Sequence, residues 1–327
     1  MAKYLIIVLV FIGANVQAQT FEVEQIEQLF RPRVRFDSKY IFDSKFVDTS
    51  SIYNQKEAGV VFTFPIQTKL NAELKLDLSS MKIKDVLKNS IRVKASQIMG
   101  MFRVNTRQIY AGFDSLPQKN LINASAGLLG VRLTKKYRVM FYSANVSIAE
   151  QDKTIGKAAP RASGLIGQLH PKGLRKNFFY GMAVTYSDGL FLPGLFFGGS
   201  QPIGKKFIFN YTLPVQLNLQ YKDDKKTLIT VGVSADGYRT GINYTTKRVN
   251  LNYTSVVAYS SLRYKFSREL LMRVEGGYVL YHNVRYSDMP HYRTNFNLAP
   301  GPYVQVGFSV LFGQTLWEKL ATGFLKN

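Results

Sequence analysis

The chain has 327 residues and a formal net charge of +22, because 43 Lys and Arg outnumber 21 Asp and Glu. It is 46% hydrophobic and 13% aromatic, which excludes an intrinsically disordered chain. It contains no cysteine, which excludes disulfide frameworks, thiol nucleophiles, cysteine zinc sites and lipoprotein anchors. Three histidines offer little material for a metal centre, so we expect neither a metal nor a cofactor.

The first residues have the pattern of a cleaved secretory signal. Lys3 gives a positive start, residues 4–13 form an apolar run, and Val16 and Ala18 are small residues just before Gln19. This run is too short to cross the ~30 Å hydrocarbon core of a membrane as a helix. We therefore predict a signal peptide over 1–18 and an exported mature chain.

Period-2 alternation of apolar and polar residues predicts β-strands. It is clear in 69–78 and clearest in 207–221, where Phe207, Phe209 and Tyr221 lie near the ends of an apolar face whose middle is aliphatic. At about 3.3 Å per residue, 207–221 would form one strand about 50 Å long. An aliphatic band between aromatic ends is typical of a lipid-facing barrel strand. Pro65 and Pro214 predict a bulge or a local edge, since proline cannot donate to the ladder.

The connections between the predicted strands alternate in length. Short ones are predicted at 67–69, 104–106, 134–136, 188–189, 222–225 and 264–268, and longer ones at 44–57, 80–90, 114–120, 149–176, 237–248 and 284–301. Outer-membrane barrels have short periplasmic turns and long external loops. We therefore predict an all-β fold, a transmembrane antiparallel β-barrel of about 12–14 strands over 19–312. The alternative is a soluble sandwich of two sheets.

The C-terminal residues 313–327 predict a short amphipathic helix. Leu316, Leu320 and Phe324 recur every fourth residue, with Trp317 beside them. Such a helix would lie at the inner membrane interface or inside the barrel. The alternative is a frayed tail that follows the last aromatic strand residue, Phe312.

The region 177–243 carries a family resemblance. It contains FFYGMAVTYSDGLFLPGLFFGGSQPIGKKFIFNYTLPVQLNLQY, a charged DDKK turn and TLITVGVSADGYRTGIN, and the early hairpin AGVVFTFPIQTKLNAEL fits the same pattern. These segments resemble an outer-membrane β-barrel family of Bacteroidota that is catalogued as a domain of unknown function. The resemblance implies the fold and an outer-membrane location, and it implies no catalytic residues.

Charged residues inside predicted strands are candidates for lumen charge. Arg273 and Glu275 share one face of the strand 269–283. Because Lys or Arg facing lipid at the midplane costs about 2–4 kcal/mol, such charges should point inward. They would line a polar channel or solute site, or they would neutralise one another and fill a narrow barrel. The full candidate set is Lys69, Glu73, Lys75, Asp77, Arg273 and Glu275.

The predicted loop 149–176 is strongly basic. Facing outward, its cations would meet the phosphates of lipopolysaccharide, which Arg can bind bidentately. The alternative is a solvated loop with no ligand, and export makes nucleic acid a poor partner. The basic residues are Lys153, Lys157, Arg161, Lys172, Arg175 and Lys176.

The catalytic candidates are few. His282 and His291 could meet Ser287 and Asp288 at the outer rim, while His170 lies in the predicted loop 149–176, but no hydrolase, metal or phosphate-loop motif is present. We expect no enzyme activity, and we expect a passive small-solute channel or a structural membrane protein. The alternatives are a lumen or rim enzyme acting on lipid and a barrel component of a secretion machine. The expected partners are outer-membrane lipid, lipopolysaccharide and the barrel-assembly machinery.

Overall fold

The computed structural model describes residues 31–47, 50–74, 91–112, 117–133, 138–172, 176–187, 190–222, 224, 226–244, 247–288 and 292–313. The predicted signal peptide and nearly all of the predicted C-terminal helix lie outside these residues. Among the residues described, no helix is both long enough and apolar enough to span a membrane. The regular structure there is β-strand, apart from one 3₁₀ helix, Asp152–Lys157.

Fifteen β-strands are present in the described part of the chain. They are β1 (Arg33–Lys45), β2 (Ile52–Leu74), β3 (Ile91–Ala111), β4 (Gln118–Leu133), β5 (Val139–Gln151), β6 (Arg161–Pro171), β7 (Asn177–Ser187), β8 (Leu190–Ile203), β9 (Phe207–Leu213), β10 (Gln216–Lys222), β11 (Thr227–Tyr244), β12 (Lys247–Lys265), β13 (Leu270–Asp288), β14 (Tyr292–Leu298) and β15 (Gly301–Leu311).

The strands close into an antiparallel barrel. Each strand from β1 to β13 pairs with the next one along the chain. β14 and β15 run in line along β13, since β14 pairs with its residues 282–288 and β15 with its residues 270–279. β15 also pairs with β1 and closes the ring, so the wall has fourteen strand positions. The predicted barrel of 12–14 strands is confirmed.

The wall follows the alternation that the sequence predicts, with apolar residues outward and polar residues inward. On β3, Phe102 and Val104 point outward and are each 52% exposed, whereas Asn105 points inward and is buried. On β10, Leu217 is 43% exposed and Gln216 is buried. An outer surface of this kind suits a hydrocarbon solvent, and the inner one suits water or paired polar groups.

The prediction of one long strand over 207–221 is wrong, although its two faces are correct. The segment is a hairpin of two short strands, β9 and β10, in which Phe207 pairs with Tyr221 and Phe209 with Leu219. The chain turns at Pro214, which has no N–H for a ladder, and the N–H of Val215 donates to the carbonyl of Thr212 at 2.7 Å. A two-residue turn preserves the period of two, so the alternation continues through it. Pro65 does produce the predicted irregularity, a register shift between β2 and β3.

The predicted rhythm of short and long connections is also wrong. The predicted turns 67–69 and 104–106 lie inside β2 and β3, which are 23 and 21 residues long. The predicted loop 237–248 is mostly the end of β11 and the start of β12. These segments are polar because one face of the strand meets either the barrel interior or solvent, and a polar strand face looks like a loop in a single sequence.

The barrel has two different ends. We call the end where β1 begins and β15 finishes the termini end, and the opposite one the far end. At the far end β5 leaves β6 and forms a parallel bridge with β11 between Glu150 and Gly241. The five strands from β6 to β10 are bypassed there. Fourteen strand positions at the termini end thus narrow to nine at the far end.

The far end is filled by an apolar cluster, which we call the far-end plug. Its centre is a stack of tyrosine rings, with centroids 5.9 Å apart for Tyr53–Tyr253 and 5.1 Å apart for Tyr238–Tyr253. Aliphatic side chains such as Ile242 and Leu251 surround them and are fully buried. Burial of this much apolar surface holds the narrow end together. It also narrows the barrel axis at that end.

Candidate functional site: the barrel interior

Below the far-end plug the interior widens into a polar cavity of ≈ 290 Å³, which we call the chamber. Its ionisable lining comes from β1, β2, β3 and β11, and among the described residues it consists of four basic and three acidic side chains. Serine and asparagine side chains of β4, β5 and β6 continue the polar lining. The ionisable residues are Arg35, Asp37, Lys39, Glu57, Arg103, Arg107 and Asp236.

Ion pairs connect the strands across this lining. Arg107 donates from Nε and Nη2 to one carboxylate oxygen of Glu57 at 3.0 and 2.7 Å, and its guanidinium lies 3.5 Å from the ring centroid of Tyr238. Lys39 bonds Asp236 at 3.2 Å across the barrel. Arg107–Glu57 thus joins the adjacent strands β3 and β2, and Lys39–Asp236 joins the non-adjacent strands β1 and β11. Pairing stabilises inward charges that would otherwise be costly to desolvate.

The chamber is not fully neutralised. Arg35 pairs with Asp37 at 2.6 Å, so each of the three carboxylates has a basic partner. In the part of the chain that the structure describes, Arg103 has no ion-pair partner and is the surplus cation. Asp236 points inward, yet 52% of its side chain is accessible. The chamber is therefore open enough to admit water and small solutes.

The opposite wall of the chamber is apolar. Leu165, Ala183, Phe196 and Val215 line it, from β6, β7, β8 and the β9–β10 turn. Phe196 also packs against a second apolar cluster that includes Phe141. The chamber is thus amphipathic, with charge on one side and hydrocarbon on the other.

A second group of arginines lies between the chamber and the termini end. Arg33, Arg263 and Arg273 surround a small cavity that also touches Arg35 and Asp37. Arg33 is buried and its Nε has no hydrogen-bond partner among the described residues. Arginine is the side chain best suited to bind carboxylate or phosphate groups. The interior consequently carries an excess of positive charge.

Of the residues predicted to carry lumen charge, Arg273 and Glu275 lie inside the barrel and bond each other, and the hydroxyl of Tyr303 donates to Glu275 at 2.8 Å. Lys69 is exposed where the β2–β3 hairpin extends beyond β1, so its assignment to the lumen is incorrect. The hairpin passes the start of β1, and a polar face there meets solvent. The side chains of Glu73, Lys75 and Asp77 lie outside the described residues.

The predicted basic loop 149–176 does not exist as one loop. Residues 161–171 form β6, so Lys153 lies at the far end whereas Lys172 and Lys176 lie at the termini end. Arg161 is buried, where it donates to the carbonyl of Ala149 at 2.9 Å. The described residues of this set therefore lie at opposite ends of the barrel and do not form one site. The side chain of Lys157 and the whole of Arg175 are outside the described residues.

The histidine constellation at the rim is not assembled either. His282 is fully buried, its Nε2 lies 2.7 Å from the carbonyl of Ala299, and it faces the far-end plug. Ser287 lies on the other face of β13, where Asn252 donates to its hydroxyl at 3.1 Å. His170 is in β6 and stacks on Tyr180, and His291 is outside the described residues.

Sequence reasoning missed most of the chamber charges, although one signal was available. In β1 the charged residues Arg33, Arg35, Asp37 and Lys39 recur at every second position and alternate with Val34, Phe36, Ser38 and Tyr40. A strand with charge on one face and aromatics on the other predicts a barrel wall directly. The other chamber charges Glu57, Arg107 and Asp236 lie on β2, β3 and β11, and no local sequence pattern could have joined them to β1.

The chain belongs to the family described as Domain of unknown function (DUF6268), whose model matches residues 14–311. No curated protein matches it by sequence. The chain is similar to the COG4313 outer membrane channel from Pseudomonas putida F1, with 6% identity, a TM-score of 0.44, and coverage of 86% of this chain and 96% of that one. It is also similar to the transport unit of the autotransporter AIDA-I from Escherichia coli, with 10% identity, a TM-score of 0.38, and coverage of 93% and 97%.

Proposed function

We propose that this member of the family is an outer-membrane channel for small solutes, with the chamber as the solute-holding part of its path. The observation that carries the proposal is the chamber itself, a water-accessible cavity that is lined by charges on one side. A barrel that served only as a wall could fill its interior with apolar side chains, as this one does at the far end.

The outer surface supports the location. Outward residues of the fourteen-strand part form an apolar band around the barrel, for example Val60, Leu128, Val146, Val231 and Leu262, and each is at least 39% exposed. Such a band needs lipid around it, because exposing this much apolar surface to water costs free energy. Cleavage after Ala18 and insertion by the barrel-assembly machinery would complete export, and the resemblance over 177–243 supports a source in the Bacteroidota.

Conductance of the purified protein in planar lipid bilayers tests the channel directly. We expect discrete current steps and a preference for chloride over potassium, because the interior carries more cations than carboxylates. Arg103→Gln removes the unpaired chamber cation and should reduce that preference, while Lys153→Gln, a change at an exposed far-end site, should not. A correctly folded barrel without current steps would overturn the proposal.

A structural role is the second candidate, because the far-end plug fills the narrow end of the barrel with apolar side chains. It predicts that the folded protein carries no current and that chamber variants leave the membrane's permeability unchanged. We expect no enzymatic step in either case, since the buried His282 is directed into the plug and away from Ser287.

A further inference from the structure

The wall of the barrel is incomplete on one side. The last complete row across four neighbouring strands contains Gly198, Thr212, Gln216 and Ser234. Three residues further toward the far end, Leu195 of β8 and Gly237 of β11 lie level with each other. No described strand lies between them, because β9 and β10 have already ended at the turn 214–215.

The size of this gap follows from strand geometry. β8 and β11 are separated by the space of two missing strands, so their axes are about 14 Å apart at the usual strand spacing. The floor is the β9–β10 turn, where the N–H of Ala235 donates to the carbonyl of Val215 at 2.8 Å. The roof is the bridge between Gly241 and Glu150. Six residues of β11 separate the floor from the roof, a height of about 20 Å.

The gap lies at the level of the apolar band. On β8, Phe191 and Leu195 point outward and are 64% and 78% exposed. Leu195 is this exposed because it has no neighbouring strand on the β9 side. The edge of the gap is thus apolar where it meets the membrane, and it does not face bulk water.

The inner side of the gap is the chamber. Phe196 and Val215 border both the gap and the apolar wall of the chamber, and Asp236 marks where the charged wall begins. The polarity therefore changes along one short path, from lipid at Leu195 through hydrocarbon at Phe196 to charged groups. The unpaired cation Arg103 lies among those groups.

We propose that this gap is a lateral window through which single-chain amphiphiles with an anionic head pass between the membrane and the chamber. The head binds Arg103, and the apolar chain lies along Phe196 and through the window. The far-end plug narrows the axial route, and the window gives the chamber a second path that leads to the lipid. The inference rests on the proposed channel and names its substrate class.

A photoreactive dodecanoate with a diazirine at the end of its chain tests the window. With the protein in lipid nanodiscs, we expect the probe to label Phe196 and Val215 in addition to outward residues of the apolar band. Mass spectrometry maps the labelled positions. The same chain on a trimethylammonium head should label these two sites weakly, because Arg103 repels it. Arg103→Gln should reduce dodecanoate labelling about tenfold, the loss expected for one charge-assisted hydrogen bond.

The absence of native cysteine allows the window to be closed chemically. In the double variant Leu195→Cys and Gly237→Cys, a bis-maleimide with a spacer of about 14 Å should span the gap. Before the reagent is added, the double variant should label at Phe196 as the wild type does. After the two cysteines are bridged, labelling of Phe196 should be lost. The matched control places cysteines at Leu219 and Val231, which face each other across a paired seam, and a short bis-maleimide there should change nothing.

The outcomes separate the two proposals. In one outcome the protein conducts ions while dodecanoate labels only the apolar band, or while bridging leaves the labelling unchanged. Either result overturns the window and leaves the channel intact. Labelling that depends on the window, in a protein that carries no current, overturns the ion channel and leaves the window intact. Equal labelling by the anionic and cationic probes overturns the assignment of the head to Arg103.

Discussion

The fourteen-strand part and the nine-strand far end use the same strands with opposite distributions of polarity. In the wide part the outward residues are apolar, and the inward ones include the charged lining of the chamber. At the far end the outward residues are polar, such as Gln108, Asn283 and Asn297, and the inward ones form the far-end plug. Each surface has the polarity of the solvent that it meets, so the comparison places hydrocarbon around the wide part and water around the far end.

Within a single strand, the apolar face switches from pointing outward in the wide part to pointing inward at the far end. On β13, Tyr278 and Leu280 point outward and are nearly half exposed, and two residues later His282 points inward. The shift needs an extra residue, which the bulge opposite Val256 and Val257 of β12 provides. A bulge at this height lets the strand leave the membrane band and re-aim its side chains into the plug.

The largest effect should come from a cavity in the far-end plug. Leu251 is fully buried there, so Leu251→Ala should lower the free energy of unfolding by about 2–5 kcal/mol. Leu165→Ala, in the partly exposed chamber wall, should cost about 1 kcal/mol. Urea unfolding in detergent micelles, followed by heat-dependent gel mobility, measures both. Equal losses would mean that the two interiors are packed alike.

A charge introduced on the outer face of β3 locates the boundary between lipid and water. Val104 and Gln108 share one face of β3 and are about 13 Å apart. Val104→Arg places the charge in lipid at a cost of about 2–4 kcal/mol near the midplane, whereas Gln108→Arg should stay within about 0.5 kcal/mol. The yield of folded barrel in the outer membrane is the measurement. Similar yields would remove the assigned lipid–water boundary on β3.

Much of the wide part could be predicted from the sequence, because its signal is local. The period of two in 207–221 assigned Leu217 outward and Gln216 inward, and both assignments hold although the segment is a hairpin. The turn was missed because a two-residue connection preserves the alternation. The period of two also places Arg273 and Glu275 on one face of their strand, and the two side chains form an ion pair there.

The far end could not be predicted, since its contacts are non-local. The bridge from β5 to β11 joins Glu150 to Gly241, which are distant in sequence and share no pattern. Arg161 looked like a loop cation, but it lies at the start of β6, 3.7 Å from the carboxylate of Glu150 in that bridge. The chamber depends on pairs such as Lys39–Asp236, which form only after the ring closes.

The β5–β11 bridge can be tested by adding a single Cβ atom at Gly241. A Cβ at Gly241 would meet the carboxylate of Glu150, which Arg248 holds at 2.7 Å, so Gly241→Ala should cost about 1–3 kcal/mol of overpacking. Gly276→Ala is the matched change, because no heavy atom lies within 4 Å of its Cβ position. Thermal unfolding in micelles compares them. If both variants unfold at the wild-type temperature, the β5–β11 bridge contributes nothing to the narrow end.

The smallest effect belongs to the termini end, where the β10–β11 turn is in water. The carboxylate of Asp224 accepts hydrogen bonds from the N–H groups of Thr227 and Lys226, at 2.5 and 2.8 Å. The backbone N–H of Thr227, and then that of Lys226, holds the pKa of Asp224 below its usual value. A carboxylate with a lowered pKa in the folded state stabilises the turn above its unfolded pKa. That contribution is lost as the pH falls through the folded pKa.

In an NMR titration in micelles, the amide signals of Lys226 and Thr227 should therefore shift at a lower pH than an ordinary aspartate titrates. Asp224→Asn should abolish the shift and leave the far-end plug signals unchanged. Titration of these two amides at the ordinary aspartate pKa would show that the turn is not held by this carboxylate.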